Sequence, residues 1–147
     1  MTNQMTISAK RVVWEIRVPP GKYVLGDPCY CFPNHEDWIA LGDSCGWFED
    51  SPVGIITFNG TTYNVLGFHT RYGDGTYNDN QGNRYPVDAG MIGLVPYELA
   101  SSNGTEFNEE LHQLIEFKHG AICTSNDGDL WFGKYHIDTN DTDEDEY

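Results

Sequence analysis

Residues 54–68 read Gly-Ile-Ile-Thr-Phe-Asn-Gly-Thr-Thr-Tyr-Asn-Val-Leu-Gly-Phe, two apolar-rich runs on either side of Asn59-Gly60. The tight primed turn of a β-hairpin needs φ > 0 at both central positions, and Asn followed by Gly meets that need at least steric cost. The stretch therefore predicts an antiparallel hairpin of 54–58 with 61–68. Toward the N-terminus, Val12, Trp14, Ile16 and Val18 alternate with Val13, Glu15 and Arg17, the period of a half-buried strand over 11–18. Pro19-Pro20-Gly21 then forces a turn, and Lys22 to Leu25 leaves it as a second strand.

Between these strands and the hairpin, one helix is predicted over 35–45. Asn34 is its cap, Glu36 and Asp37 suit the positive end of its dipole, and Trp38, Leu41 and Cys45 form one apolar side. Toward the C-terminus, Gly73-Asp74-Gly75 and Asn80-Gln81-Gly82-Asn83 punctuate short extended pieces at 76–79 and 84–89, a meander. Met91 to Val95 is an apolar stretch stopped by Pro96, and 101–105 is loop. Phe107, Leu111, Leu114 and Ile115 have helical spacing and predict a second helix, with a strand after His112 as the alternative. Ala121 to Ser125 and Leu130 to Ile137 bracket Asn126-Asp127-Gly128-Asp129 as a last hairpin.

These elements predict a β-rich α+β fold: antiparallel hairpins and a meander forming a small sandwich or partly open barrel, with one or two short helices. With 147 residues the chain fits one domain, assigned to residues 1–137, and residues 138–147 read as a disordered acidic tail. A core is available from few positions because four Trp, nine Tyr and seven Phe each bury a large area. No run approaches the ~18 apolar residues of a membrane span, and residues 1–11 lack the apolar core of a secretory signal. The expectation is a soluble protein of a bacterial cytoplasm. Cys29, Cys31, Cys45 and Cys123 are then reduced thiols, and the acceptor-like tripeptides at Asn59, Asn103 and Asn140 are turn formers.

Charge is the strongest functional signal. The net charge is −15, yet residues 1–33 carry four bases against two acids, a net +2. The tail contributes −6 through six carboxylates and no base, which leaves −9 on the body. Such a body repels nucleic acid and anionic membrane and attracts basic protein surfaces.

Chemical motifs are sparse. Cys29, Cys31 and His35 resemble a partial metal set, but structural zinc wants paired C-x2-C spacing, so buried thiols are the favoured reading and no metal or cofactor is expected. The stretch Tyr72 to Asn80 is rich in Asp and Asn oxygens but lacks the glycine and closing glutamate of a calcium loop. There is no nucleophile elbow, H-E-x-x-H pair, P-loop or G-x-G-x-x-G, and His35, His69, His112, His119 and His136 are scattered. No catalytic residue is assigned. What the turns leave over is a group of carboxylates, phenols and one thiol at strand ends: Asp27, Cys29, Tyr30, Asp74, Tyr77, Asp79 and Asp88. Brought together they would suit a cation or a basic side chain.

Gly26-Asp27-Pro28-Cys29-Tyr30, Tyr72-Gly73-Asp74-Gly75-Thr76-Tyr77, Val87-Asp88-Ala89-Gly90 and Ile92-Gly93-Leu94-Val95-Pro96 together resemble a group of uncharacterised bacterial and bacteriophage proteins. The resemblance spans roughly residues 18–100. It implies a β-rich fold and a phage or bacterial setting, and carries no activity with it.

The leading expectation is an interaction protein: a phage accessory or inhibitor factor directed at host defence, a nucleic-acid mimic, or an immunity-type factor. It would bind a basic surface of a host or toxin protein, with no direct contact to nucleic acid or membrane. The alternatives are a small-ligand binder or enzyme centred on the Asp/Tyr/Cys group, and a structural particle component. Oligomeric state is not legible in the chain.

Overall fold

The computed structural model describes residues 5–9 and 13–140. In chain order the elements are β1 (Thr6–Ala9), β2 (Val13–Val18), β3 (Gly21–Gly26), a 3-10 turn (Pro28–Cys31), α1 (His35–Cys45), β4 (Val53–Phe58), β5 (Thr61–His69), β6 (Gly75–Asn78), β7 (Arg84–Val87), β8 (Met91–Pro96), α2 (Tyr97–Ser102), β9 (His112–Phe117), β10 (Ala121–Asn126), β11 (Asp129–Phe132) and β12 (Tyr135–Asp138).

Asn59 and Gly60 take φ of 51° and 81°, and β4 pairs with β5 from Phe58↔Thr61 back to Val53↔Leu66, as the hairpin reading requires. The expected turn at Pro19-Pro20 does more than reverse the chain: β2 and β3 belong to different sheets, so it is the corner between them. One sheet runs β1-β2-β10-β11-β12, the other β4-β5-β8-β3-β9, and β6 with β7 forms a separate two-stranded ribbon. Every strand pairing is antiparallel, and neither five-stranded sheet closes on itself.

The two large sheets pack face to face around Ile16, Tyr23, Leu25, Phe68, Leu94 and Phe132, with Tyr77, Tyr85 and Val87 of the ribbon in the same cluster. The opposite face of the second sheet is covered by the helices. There Val24, Val65 and Val95 meet Leu41, Cys45, Phe48 and Leu99 in a second core. A sheet buried on both faces reads as continuous apolar sequence instead of alternation, which is why all of Met91–Pro96 is buried. Its strands also approach closely: a Cβ on Gly93 would lie 1.7 Å from the Leu66 carbonyl oxygen, so only glycine fits.

Two exposed strand edges are capped. Asn80 donates its N–H to the His136 carbonyl at 3.0 Å and accepts the His136 N–H on its side chain at 3.0 Å, closing the outer edge of β12. Ser44 of α1 accepts the Ile55 N–H at 2.8 Å on β4. Both contacts remove backbone groups that would otherwise template another strand.

The structure corrects three expectations. The helical reading of 107–115 gives way to its alternative, a strand from His112: a turn leads into β9. Asn108 closes the turn by accepting the Glu110 N–H at 2.9 Å, and from His112 the chain pairs with β3, burying Ile115 and Phe117 while leaving Leu114 52% exposed. Second, Leu130 to Ile137 is two strands, broken where Gly133 takes φ 63°. Third, ordered chain continues past residue 137. Asp138 ends β12, and Thr139 is fully buried, donating to the Gly128 carbonyl at 2.6 Å and accepting the Arg71 N–H at 2.9 Å. The remainder of the expected tail, residues 141–147, lies outside the described residues. α2 was not foreseen: Pro96 begins it without a side-chain cap. Among the described residues no helix is long and apolar enough to cross a membrane.

Candidate functional site

The strand ends that carry the acidic and aromatic motifs meet at one end of the second sheet, where β3 and β5 finish and β8 begins. Asp27 is the centre of this end. It is 1% exposed; one carboxylate oxygen accepts the Cys29 N–H at 3.0 Å, and the other accepts the Asp88 and Ala89 N–H groups, both at 2.7 Å. Burial pushes its carboxyl above the usual range against the opposing pull of those N–H groups. Tyr30 donates its hydroxyl to Asp88 at 2.6 Å. These contacts clasp the 3-10 turn to the 88–90 loop. Burial, then the negative charge of Asp27 and Asp88, pushes the Cys29 thiol well above its ordinary value, and burial takes Cys31 up to about 12. Burial at both positions disfavours the thiolate form.

The neighbouring loop is held in the same way. Thr70 donates its N–H to the Gly90 carbonyl at 3.0 Å, and its hydroxyl to Gly73 at 2.7 Å. Tyr77, fully buried, donates to the same Gly73 carbonyl at 2.9 Å. Asp74 lies exposed in this turn. Asp79 stands apart at the ribbon's tip and accepts from Gln81 N, Asn83 N, Asn83 Nδ2 and the Tyr85 hydroxyl at 2.7 to 3.0 Å. Burial would raise its carboxyl, but these hydrogen bonds outweigh it and hold the group below the ordinary carboxylate range. Of the seven singled-out residues, Asp27, Cys29, Tyr30 and Asp88 therefore converge. Tyr77 and Asp79 fasten their own turns. Among the described residues no three His, Cys, Asp or Glu side chains are placed to hold a metal, and Cys29, Cys31 and His35 form no such set.

The charged surface lies elsewhere. From Tyr23 to Thr70 the chain has no Lys or Arg and six carboxylates; all but Asp27 belong to α1 and the turn after it. The sequence builds this helix locally: the Asn34 side chain accepts the Glu36 N–H at 2.9 Å, and Gly46 ends it with φ 61°. Glu36, Asp43, Glu49 and Asp50 are exposed. Trp47 and Phe48 follow Gly46 with φ of 56° and 66°, Phe48 pointing into the core and Trp47 remaining 38% exposed. A second run without Lys or Arg, Tyr85 to Phe117, also carries six carboxylates. Two of them, Glu109 and Glu110, line a groove of about 550 Å³ with Thr76, Arg84, Pro86 and Gln113. Several bases, by contrast, are engaged: Arg71 pairs with Asp127 at 2.6 Å, and Lys22 and Lys134 lie over the rings of Tyr97 and Tyr135.

His112 occupies the first position of β9, beside Gly26. Its ring is 3% exposed, Nε2 accepts the Asn108 N–H at 3.2 Å, and Nδ1 is buried without a hydrogen-bond partner. Burial lowers its pKa. Sequence reasoning passed over both His112 and Trp47; the available signals were a histidine at a strand start and a Trp-Phe pair directly after a helix-ending glycine.

Comparison with protein-family models, curated proteins and solved structures finds no match to this chain.

Proposed function

We propose that this chain is a small acidic binding protein that docks on a basic surface of a partner protein, as an inhibitor or immunity-type factor in a bacterial or bacteriophage setting. The observation that carries the reading is the run from Tyr23 to Thr70 without Lys or Arg, whose exposed carboxylates sit together on the α1 layer. A surface of one sign speeds encounter with an oppositely charged partner and occupies ground that a nucleic acid would otherwise hold. Partner binding is therefore salt-sensitive and competes with DNA or RNA wherever the partner also binds them.

The reading that centres on a pocket of Asp27, Cys29, Tyr30, Asp74, Tyr77, Asp79 and Asp88 has less support, because the buried members are consumed in holding loops together. The test is affinity capture from a bacterial lysate at low salt and at roughly 0.15 M salt. It compares the full chain, a chain ending at Asn140, and the variant E36Q/D37N/D43N/E49Q/D50N. A basic partner retained by the first two and lost by the third is the expected result; recovery of no partner at low salt refutes the proposal.

A further inference from the structure

The Asn59-Gly60 turn fixes which way the backbone groups of the second sheet point. In a two-residue hairpin the flanking residues, Phe58 and Thr61, exchange both hydrogen bonds, and pairs then alternate between bonded and unbonded. Thr61, Tyr63 and Val65 thus turn their N–H and C=O groups to β4, and Leu66 and Phe68 turn theirs to β8. The Gly67 N–H keeps that phase by reaching the Pro52 carbonyl at 2.9 Å. Carried across the registers Leu66↔Leu94, Gly26↔Gly93 and Leu25↔Gln113, the alternation leaves His112, Leu114 and Glu116 facing away from β3. His112 agrees: its N–H turns back to the Asn108 carbonyl at 3.1 Å. Leu114 and Glu116 therefore present two donors and two acceptors on the outer side of β9, where no described strand lies.

Open sheet edges recruit other strands, and proteins guard them. Here β12 is closed by Asn80, β4 by Ser44, and β1 is irregular, its register shifting between Ile7 and Ala9. β9 has no such guard among the described residues. Its register with β3 runs unbroken from Gly21↔Phe117 to Gly26↔His112, it contains no proline, and Leu114 at its middle is 52% exposed.

We infer that the outer edge of β9 is an interface for a second copy of this chain, the two β9 strands pairing antiparallel about a two-fold axis at Leu114. Three registers let the outward-facing residues meet, centred on Leu114, Ile115 or Glu116. The last sets two glutamates directly opposite each other, and the second sets Leu114 against Glu116. Centring on Leu114 sets leucine against leucine and Glu116 against His112 of the partner subunit. It also carries the exposed Lys118, just after β9, toward Glu110 of the partner subunit, just before it. The two leucines exchange two hydrogen bonds, and each Glu116 N–H donates to the opposite His112 carbonyl. The net charge of −15 does not forbid the pair. The carboxylates of α1 sit over β4 at the far edge of the sheet, four strand spacings or about 19 Å from β9. Repulsion over that distance is largely screened at roughly 0.15 M salt, where the Debye length is about 8 Å. The inference goes beyond the basic-partner reading and stands or falls without it.

The test is sedimentation equilibrium of the full chain in roughly 0.15 M salt. A monomer–dimer equilibrium with Kd below about 100 μM is expected. L114K sets two cations opposite each other, and L114P deletes an outward N–H while sparing the ladder to β3; each is expected to weaken the dimer at least about tenfold. T57K makes the same charge change on exposed Thr57 of β4 and is expected to change it less than about twofold. K118E is expected to lose about fivefold, and E110K/K118E to regain the parent's affinity. E49K/K118E restores the net charge at the far edge only and stays weak. Melting curves establish that each variant is folded, and L114K carries the test if L114P is not. A chain that stays monomeric up to about 300 μM overturns the inference. So does a dimer that L114K leaves intact, or equal recovery in the two double variants.

Discussion

Two acidic, aromatic regions of this molecule are built in opposite ways. Around Asp27, Tyr30, Thr70, Tyr77 and Asp88 the polar groups answer one another, and the carboxylate at the centre is buried with three N–H donors. At the end of α1, Asp43, Glu49 and Asp50 are exposed, and the last turn of the helix holds no basic residue to balance them. Acidic residues in the first region are fold. In the second they contradict local electrostatics, and such departures from local consistency are where function is expected to sit.

The largest effect that would break this contrast is at Asp27. D27A strands three backbone N–H groups, two of them at the junction with the 88–90 loop, and is expected to cost about 3–4 kcal/mol, read from the denaturant midpoint. Y30F removes only the exposed end of the clasp and should cost about 0.5–1 kcal/mol. A D27A protein as stable as the parent would show that the cluster is not a structural anchor.

His112 sharpens the comparison, because among the described residues its Nδ1 is the buried side-chain atom without a hydrogen-bond partner. Its folded pKa lies below the ordinary 6.5, so on acidification the unfolded chain takes up the proton first. Its contribution to stability is complete above pH 6.5 and is lost as pH falls from there toward the depressed value. Protonation also puts a hydrogen on Nε2, which then cannot accept the Asn108 N–H. Urea midpoints measured from pH 7.5 down to 5 are expected to fall, and the fall to be shallower in H112Q. Equal slopes in the two chains would remove His112 from the account.

The smallest effect has the opposite sign. D43N relieves repulsion at the negative end of α1 and is expected to raise stability by about 0.3–1 kcal/mol in thermal melts, while weakening partner binding. A destabilised D43N would mean that the carboxylate has a structural partner.

Much of the fold was legible because its determinants are local. Asn59-Gly60 dictates its turn wherever it occurs, and Asn34 and Gly46 bound α1 within one helix length. Within 107–117, Leu111, Leu114 and Ile115 match a helical period by coincidence, and only the non-local pairing with β3 decides for the alternative strand from His112. α2 gave little signal, having no side-chain cap. For the candidate site, the sequence singled out seven residues, four of which do meet. It did not disclose that Asp27 reaches backbone groups 61 and 62 positions away, which turns a candidate binding group into an anchor. Nor could it separate Trp47 from Phe48, since which of two adjacent aromatic residues faces the core depends on the left-handed turn between helix and β4.

The central claim is that binding resides on the α1 surface and not in the C-terminal acidic run. Its most direct test is the affinity of the captured partner for two altered chains, one ending at Asn140 and one carrying E36Q/D37N/D43N/E49Q/D50N. Truncation is expected to cost less than about threefold and neutralisation at least about tenfold. The reverse order, with truncation abolishing binding and neutralisation leaving it intact, would contradict the account.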